Sequence, residues 1–114
     1  MISSSNRFHG RRAVSRVRGK PAHSPRLSAR VAKNSNQSYR LAIVVSKKID
    51  NRAVVRNRIR RRLFEAFRTQ EKLHNLPLDV VVYVKSVDLA TVAADQVEDE
   101  VASLTAKILN SHSS

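Results

Sequence analysis

The sequence predicts a small α/β (α+β) two-layer sandwich, and three observations carry that expectation. Two stretches, near 27–31 and 39–46, read as strands, one by alternation and one by a β-branched run, and a third valine-rich run follows at 80–84. Two others, 52–72 and 93–109, place apolar residues at helical spacing. The order strand, long helix, strand is that of a crossover unit. A chain of 114 residues suits one domain with a modest core. The expected domain is 1–114, with flexible ends at 1–5 and 110–114.

The elements follow in order along the chain. Asn6 caps a short first helix to about Arg16, with Val14 and Val17 on one side and Phe8 at its start. Gly19, Pro21 and Pro25 punctuate a loop. Leu27, Ala29 and Val31 then alternate with Arg26, Ser28 and Arg30, as in a half-buried strand whose other face is cationic. Asn34 to Ser38 is a polar turn, and Tyr39 to Ser46 reads as a central strand forming a hairpin with the previous one. Asp50 or Asn51 supplies the N-cap of a helix from about Arg52 to Lys72. Its Val55, Ile59, Leu63, Ala66 and Phe67 fall within a stripe about 120° wide, the width of a core-facing helix. Pro77 interrupts the chain before a buried strand, Asp79 to Lys85. The last helix, about Ala93 to Leu109, sets Val97, Val101, Leu104 and Ile108 on one face. Asp95, Glu98, Asp99 and Glu100 lie in its first turns, where the helix dipole favours acids.

Charge is unevenly distributed. Residues 1–68 hold 19 Lys and Arg against two acids, Asp50 and Glu65, which leaves +17. Residues 69–114 hold three Lys against seven acids, or −4, and the two halves sum to the formal +13. A self-repelling cationic half calls for a polyanionic partner, nucleic acid first. With no Cys there is no disulfide framework or thiolate metal site. No apolar run approaches the ~20 residues of a membrane span, so no membrane partner is expected.

The chemistry concentrates between Lys47 and Arg62, where six Arg occur in the eleven residues from Arg52 to Arg62. A guanidinium binds phosphate oxygens at two points and keeps its charge. Asn57 adds an amide able to read a base edge or a 2′-hydroxyl. Asn57, Arg58, Arg61 and Arg68 lie opposite the apolar stripe, while Arg56, Arg60 and Arg62 flank it.

Blander readings meet specific objections. A merely solvated face would need more acids than Glu65. A lipid-binding helix would compete with the core for the apolar stripe. A transit peptide would explain the Arg- and Ser-rich start but not the strand alternation that follows. A DNA-binding helix-turn-helix needs a short helix where Val44-Val45-Ser46 reads as strand, and Tyr39 and Tyr83 do not form an RNA-recognition sheet motif. No protein active site assembles. His9, His23, His74 and His112 lack ligand spacing, and two Gly exclude a phosphate-binding loop.

The stretch Ser46-Lys47-Lys48, a spacer, Ala53-Val54-Val55, Arg56-Asn57-Arg58-Ile59-Arg60-Arg61 and Glu65-Ala66-Phe67-Arg68 resembles the signature of the bacterial ribonuclease P protein component. Asn6-Arg7, His23-Ser24-Pro25 and Asp79 before its valines support the resemblance, which runs from about Asn6 to Leu109. It implies a four-stranded mixed sheet with three helices and a left-handed crossover through the long helix. It also implies a subunit of an endoribonuclease that trims 5′ leaders from precursor tRNA, the chemistry residing in the RNA. The expected partners are ribonuclease P RNA and precursor tRNA, with no obligate protein partner. Mg2+ would be bound mainly by the RNA, in the bacterial cytoplasm.

Carried onto this chain, the resemblance implies catalytic-RNA contacts at Lys47, Lys48, Arg52, Arg56, Asn57, Arg58, Arg60, Arg61 and Arg62. It implies leader contacts at Arg7, Arg11, Arg12, Arg30 and Arg40. The chain departs from the family's cleft pattern, because Val14, Arg18, Leu27 and Arg30 stand where many members carry stacking aromatics. The alternative is a non-enzymatic, ribosomal-type RNA-binding protein. It would need the basic helix but not the basic sheet face suggested by Arg26, Arg30 and Arg40.

Overall fold

The computed structural model describes residues 20–33, 39–74 and 76–113, with side chains described at 21–33, 39–74 and 76–110. The expected first helix, with Arg7, Arg11 and Arg12, and the polar turn at 34–38 lie outside the described residues.

The described elements are β1 (Lys20–His23), β2 (Leu27–Lys33), β3 (Arg40–Val44), α1 (Ala53–Arg68), the one-turn α2 (Glu71–His74), β4 (Leu78–Val84), a 3-10 turn (Val87–Ala90) and α3 (Ala94–Ser113). The sheet order is β1-β2-β4-β3. β1 and β4 both run antiparallel to β2, and β3 pairs parallel to β4. The β3–α1–β4 connection is therefore the crossover that the sequence order predicts.

Three expectations about the strands are corrected: the hairpin, the central place of Tyr39 to Ser46, and the loop before Leu27. β2 and β3 form no hairpin, because β4 lies between them. Its Val80, Val81 and Val82 are wholly buried and need a neighbour on each side, whereas β3 ends at an edge with Leu41 and Ile43 turned to the helices. The actual hairpin joins β1 to β2 at Ser24-Pro25-Arg26, closed by Ser24 N–H donating to the Leu27 carbonyl at 2.8 Å. β1 falls where the sequence reads as loop. Pro21 is tolerated there because an edge strand has one side without ladder bonds.

The core fills one side of the sheet. Leu27, Leu41, Val80 and Val82 meet Ile59, Leu63 and Phe67 of α1 and Val97, Val101 and Leu104 of α3. The α1 stripe is the one the periodicity predicts, with Val55 only half-buried. α1 is shorter than expected at its C-terminus. Thr69 Oγ1 donates to the Ala66 carbonyl at 2.7 Å, competing for a helical acceptor, and the chain tightens into α2 instead of continuing to Lys72. Tyr39 is fully buried and stacks on His74, with ring centroids 5.6 Å apart, and burial pushes its phenol above the ordinary value. That contact ties the start of β3 to α2.

Candidate nucleic-acid interface

Packing the apolar stripe inward turns the opposite side of α1 to solvent. Asn57, Arg58, Arg61 and Arg68 are exposed there, as the helical projection predicts, and Arg52, Lys47 and Lys48 are exposed at its N-terminal end. Arg68 pairs with Glu65 at 3.1 Å on the surface. Among the described residues, no hydrogen bond or ion pair holds Arg58 or Arg61. No α1 arginine forms an ion pair with residues 95–100.

The N-terminus of α1 differs from expectation. Arg52, not Asp50 or Asn51, is the N-cap residue, and no side chain caps the helix. Asp50 acts two residues earlier. Its Oδ1 accepts from Arg52 N–H at 2.8 Å, and its carboxylate receives the Arg52 guanidinium at 3.0 and 3.1 Å. These bonds from Arg52 hold the Asp50 carboxyl below its usual range and raise the Arg52 guanidinium. Arg56 folds back to donate to the Asp50 and Asn51 carbonyls at 3.0 and 2.8 Å. The loop carrying Lys47 and Lys48 is thereby fixed against the helix. The first turn contains no acid, so the positive end of the helix dipole adds to the cations around it.

Two further predicted residues have protein partners. Arg60 donates to the Asn57 amide oxygen, which orients both on the exposed side. Arg62 reaches the other way, donating to the Leu89 carbonyl at 2.7 Å and to the Val92 carbonyl. It fastens α1 to the chain between β4 and α3.

The second cationic region lies on the sheet. Arg30 is exposed on the face turned away from the helices. Arg40 lies on the same face, opposite Asp79 in the register, and the two form a bidentate pair at 2.6 and 2.7 Å. The hydrogen bond to Asp79 raises the Arg40 guanidinium further. Arg26 leaves that face, because its guanidinium and backbone N–H both bond Glu100 of α3. Sequence reasoning missed these two neutralisations. An Asp leading an apolar strand was the available signal for one, and Glu100, buried among exposed acids on α3, left none for the other.

Among the described residues no group of three or more His, Asp or Glu could hold a metal ion. No described helix is long and apolar enough to cross a membrane.

A four-stranded open sheet backed by helices, one of them presenting uncompensated arginines, defines an α+β protein built to bind a polyanion. The ribonuclease P family model matches residues 2–109. The "Ribonuclease P protein component" of Pseudanabaena sp. (strain PCC 6903) is 36% identical over 90 residues, covering 76% of this chain and 78% of that protein. The protein of the same description from Thioalkalivibrio sulfidiphilus (strain HL-EbGR7) is 48% identical over 52 residues, covering 46% of this chain and 42% of that protein. The RNase P protein from Thermotoga maritima superposes with a TM-score of 0.75 at 26% identity, covering 86% of this chain and 93% of that one. The chain belongs to the ribonuclease P protein family, the protein components of the endoribonuclease ribonucleoprotein that matures the 5′ ends of tRNAs. Its partner is accordingly an RNA.

Proposed function

We propose that the exposed side of α1 docks on ribonuclease P RNA and that the open sheet face holds the 5′ leader of precursor tRNA. The observation that carries the first part is the pair Arg58 and Arg61, exposed without a protein counterion among the described residues. Lys47, Lys48, Arg52, Arg56, Asn57 and Arg60 border the same surface, with Arg62 setting the helix in place behind it. Arg30, Arg40 and the residues Arg7, Arg11 and Arg12 form the leader-binding set.

In this reading the protein lowers repulsion between two polyanions and raises affinity for precursor over product. About eight neutralised phosphates give a log–log salt slope of roughly −6 to −7. In this reading Mg2+ is bound mainly by the RNA, which supplies the cleaving chemistry. The complex works in the bacterial cytoplasm.

The test adds the protein to a ribonuclease P RNA and a precursor tRNA at low magnesium. Processing should be stimulated, and changing Arg58 and Arg61 together to Ala should weaken binding to the catalytic RNA by about tenfold or more. Absence of stimulation removes the enzyme-subunit reading. Loss of leader discrimination with catalytic-RNA affinity intact would mean that the two surfaces are exchanged.

A further inference from the structure

Residues opposite one another in the sheet register share a face, so the open face is built in rows across the strands. One row is His23, Ser28, Tyr83 and Val44. The next is Pro21, Arg30, Val81 and Ala42. Val81 and Ala42 are buried, and Tyr83 and Val44 pack against them while staying partly exposed. Among the described residues the floor is therefore apolar, with one aromatic ring. Arg30 and Lys85 are exposed beside it, and Arg40, paired with Asp79, lies farther along.

Tyr83 and Arg30 are diagonal neighbours on adjacent strands, about 7–8 Å apart and within mutual reach of long side chains. A half-exposed ring next to an exposed guanidinium fits a single-stranded polynucleotide. Every base has a π face that stacks whatever its identity, and the adjoining phosphate takes the cation. β4 is paired on both sides, so the ring projects from the part of the sheet held most firmly. By contrast Leu27 and Ala29 of β2 are buried against the helices and are unavailable for stacking.

We infer that Tyr83 is the stacking residue for one base of the RNA strand on this face, with Arg30 binding the adjacent phosphate. The inference rests on the assignment of the open face to the leader and adds the residue that grips a base. It moves the aromatic platform from the first helix and first strand to the centre of the sheet.

The test uses the enzyme reconstituted with ribonuclease P RNA and compares binding of precursor and mature tRNA. Tyr83→Leu should lower the preference for precursor by about 5- to 100-fold, while Tyr83→Phe, which keeps the ring, should stay within about twofold. The deficit of Tyr83→Leu should vanish for a leader carrying an abasic site at one position. An unchanged preference in Tyr83→Leu, where deleting the leader abolishes the preference of the unaltered enzyme, overturns the role of Tyr83 and leaves the leader assignment standing. An unaltered enzyme that does not prefer precursor removes both. A loss in Tyr83→Phe equal to that in Tyr83→Leu, or a fall in thermal stability and catalytic-RNA affinity together, rejects stacking in favour of a packing role.

Discussion

Arginine is dense both along α1 and in the chain around β2 and β3, yet the fold treats the two regions differently. Around the sheet, Arg26 meets Glu100, 74 positions away, and Arg40 meets Asp79, 39 positions away. Along α1 the carboxylate partners are local, Asp50 for Arg52 and Glu65 for Arg68, and Arg58 and Arg61 meet none among the described residues. Counting charges along a sequence therefore overstates the sheet and describes the helix well. A helix surface is neutralised chiefly by residues three or four positions away, whereas a strand's cross-neighbours come from wherever the topology brings them.

The largest expected effect comes from breaking the sheet's neutrality at Asp79→Asn. Arg40 would keep a hydrogen-bond partner but lose its counterion, and both side chains are substantially covered, at 31% and 12% exposure. Stability should fall by about 2 to 4 kcal/mol in denaturant unfolding, toward the lower end of what breaking a buried pair costs because Arg40 reaches solvent. Binding of single-stranded RNA should gain a salt slope steeper by about 0.7. An unchanged slope would mean that Arg40 already presents its full charge, and the contrast with α1 would lose its basis.

The same contrast explains what was legible in the sequence. The α1 stripe and its exposed arginines follow from a 3.6-residue period, which needs no knowledge of the rest of the chain. The α3 face with Val97, Val101 and Leu104 was equally plain. Strand order was not. Tyr39 to Ser46 looks central by composition, but only the position of β4 decides that β3 is an edge. β1 was hidden because Pro21 and Pro25 signal a loop, although an edge strand accepts Pro. Within the site, the resemblance sets Arg62 among the catalytic-RNA contacts, and its place flanking the stripe does not separate it from them. Its carbonyl partners, Leu89 and Val92, come from a turn that local spacing could not place beside it.

A smaller effect separates Arg62 from its neighbour Arg61. Arg62→Ala strands two carbonyls that a charged donor now satisfies, and should cost about 1 to 2 kcal/mol of stability in thermal or denaturant unfolding. Arg61→Ala is an exposed substitution and should change stability by less than about 0.5 kcal/mol. It should instead reduce the salt slope for catalytic-RNA binding by about 0.7 to 0.9. If Arg62→Ala reduced that slope as much while leaving stability unchanged, the division of α1 into docking and packing arginines would fail.

The smallest effect is a pH dependence at Glu100, which joins the β1–β2 turn to α3 and withdraws Arg26 from the open face. Burial disfavours the ionised carboxylate. Ser24, the Arg26 N–H at 3.0 Å and the Arg26 guanidinium at 3.3 Å outweigh that penalty and hold the carboxyl below its ordinary 4.5. A folded value below the unfolded one contributes stability above about pH 4.5, and the contribution disappears as pH falls through the folded value. Arg26 is partly solvated, so the contribution at neutral pH is about 1 kcal/mol. Glu100→Gln should be less stable than the unaltered protein by that amount at pH 7, and the gap should close as pH falls through the folded value. Asp95, Glu98 and Asp99, exposed on the same helix, are common to both proteins, so their effect cancels in the difference. A gap that stayed constant from pH 7 to pH 3 would show that Glu100 acts through shape rather than charge, and Arg26 would then count among the cations available to RNA.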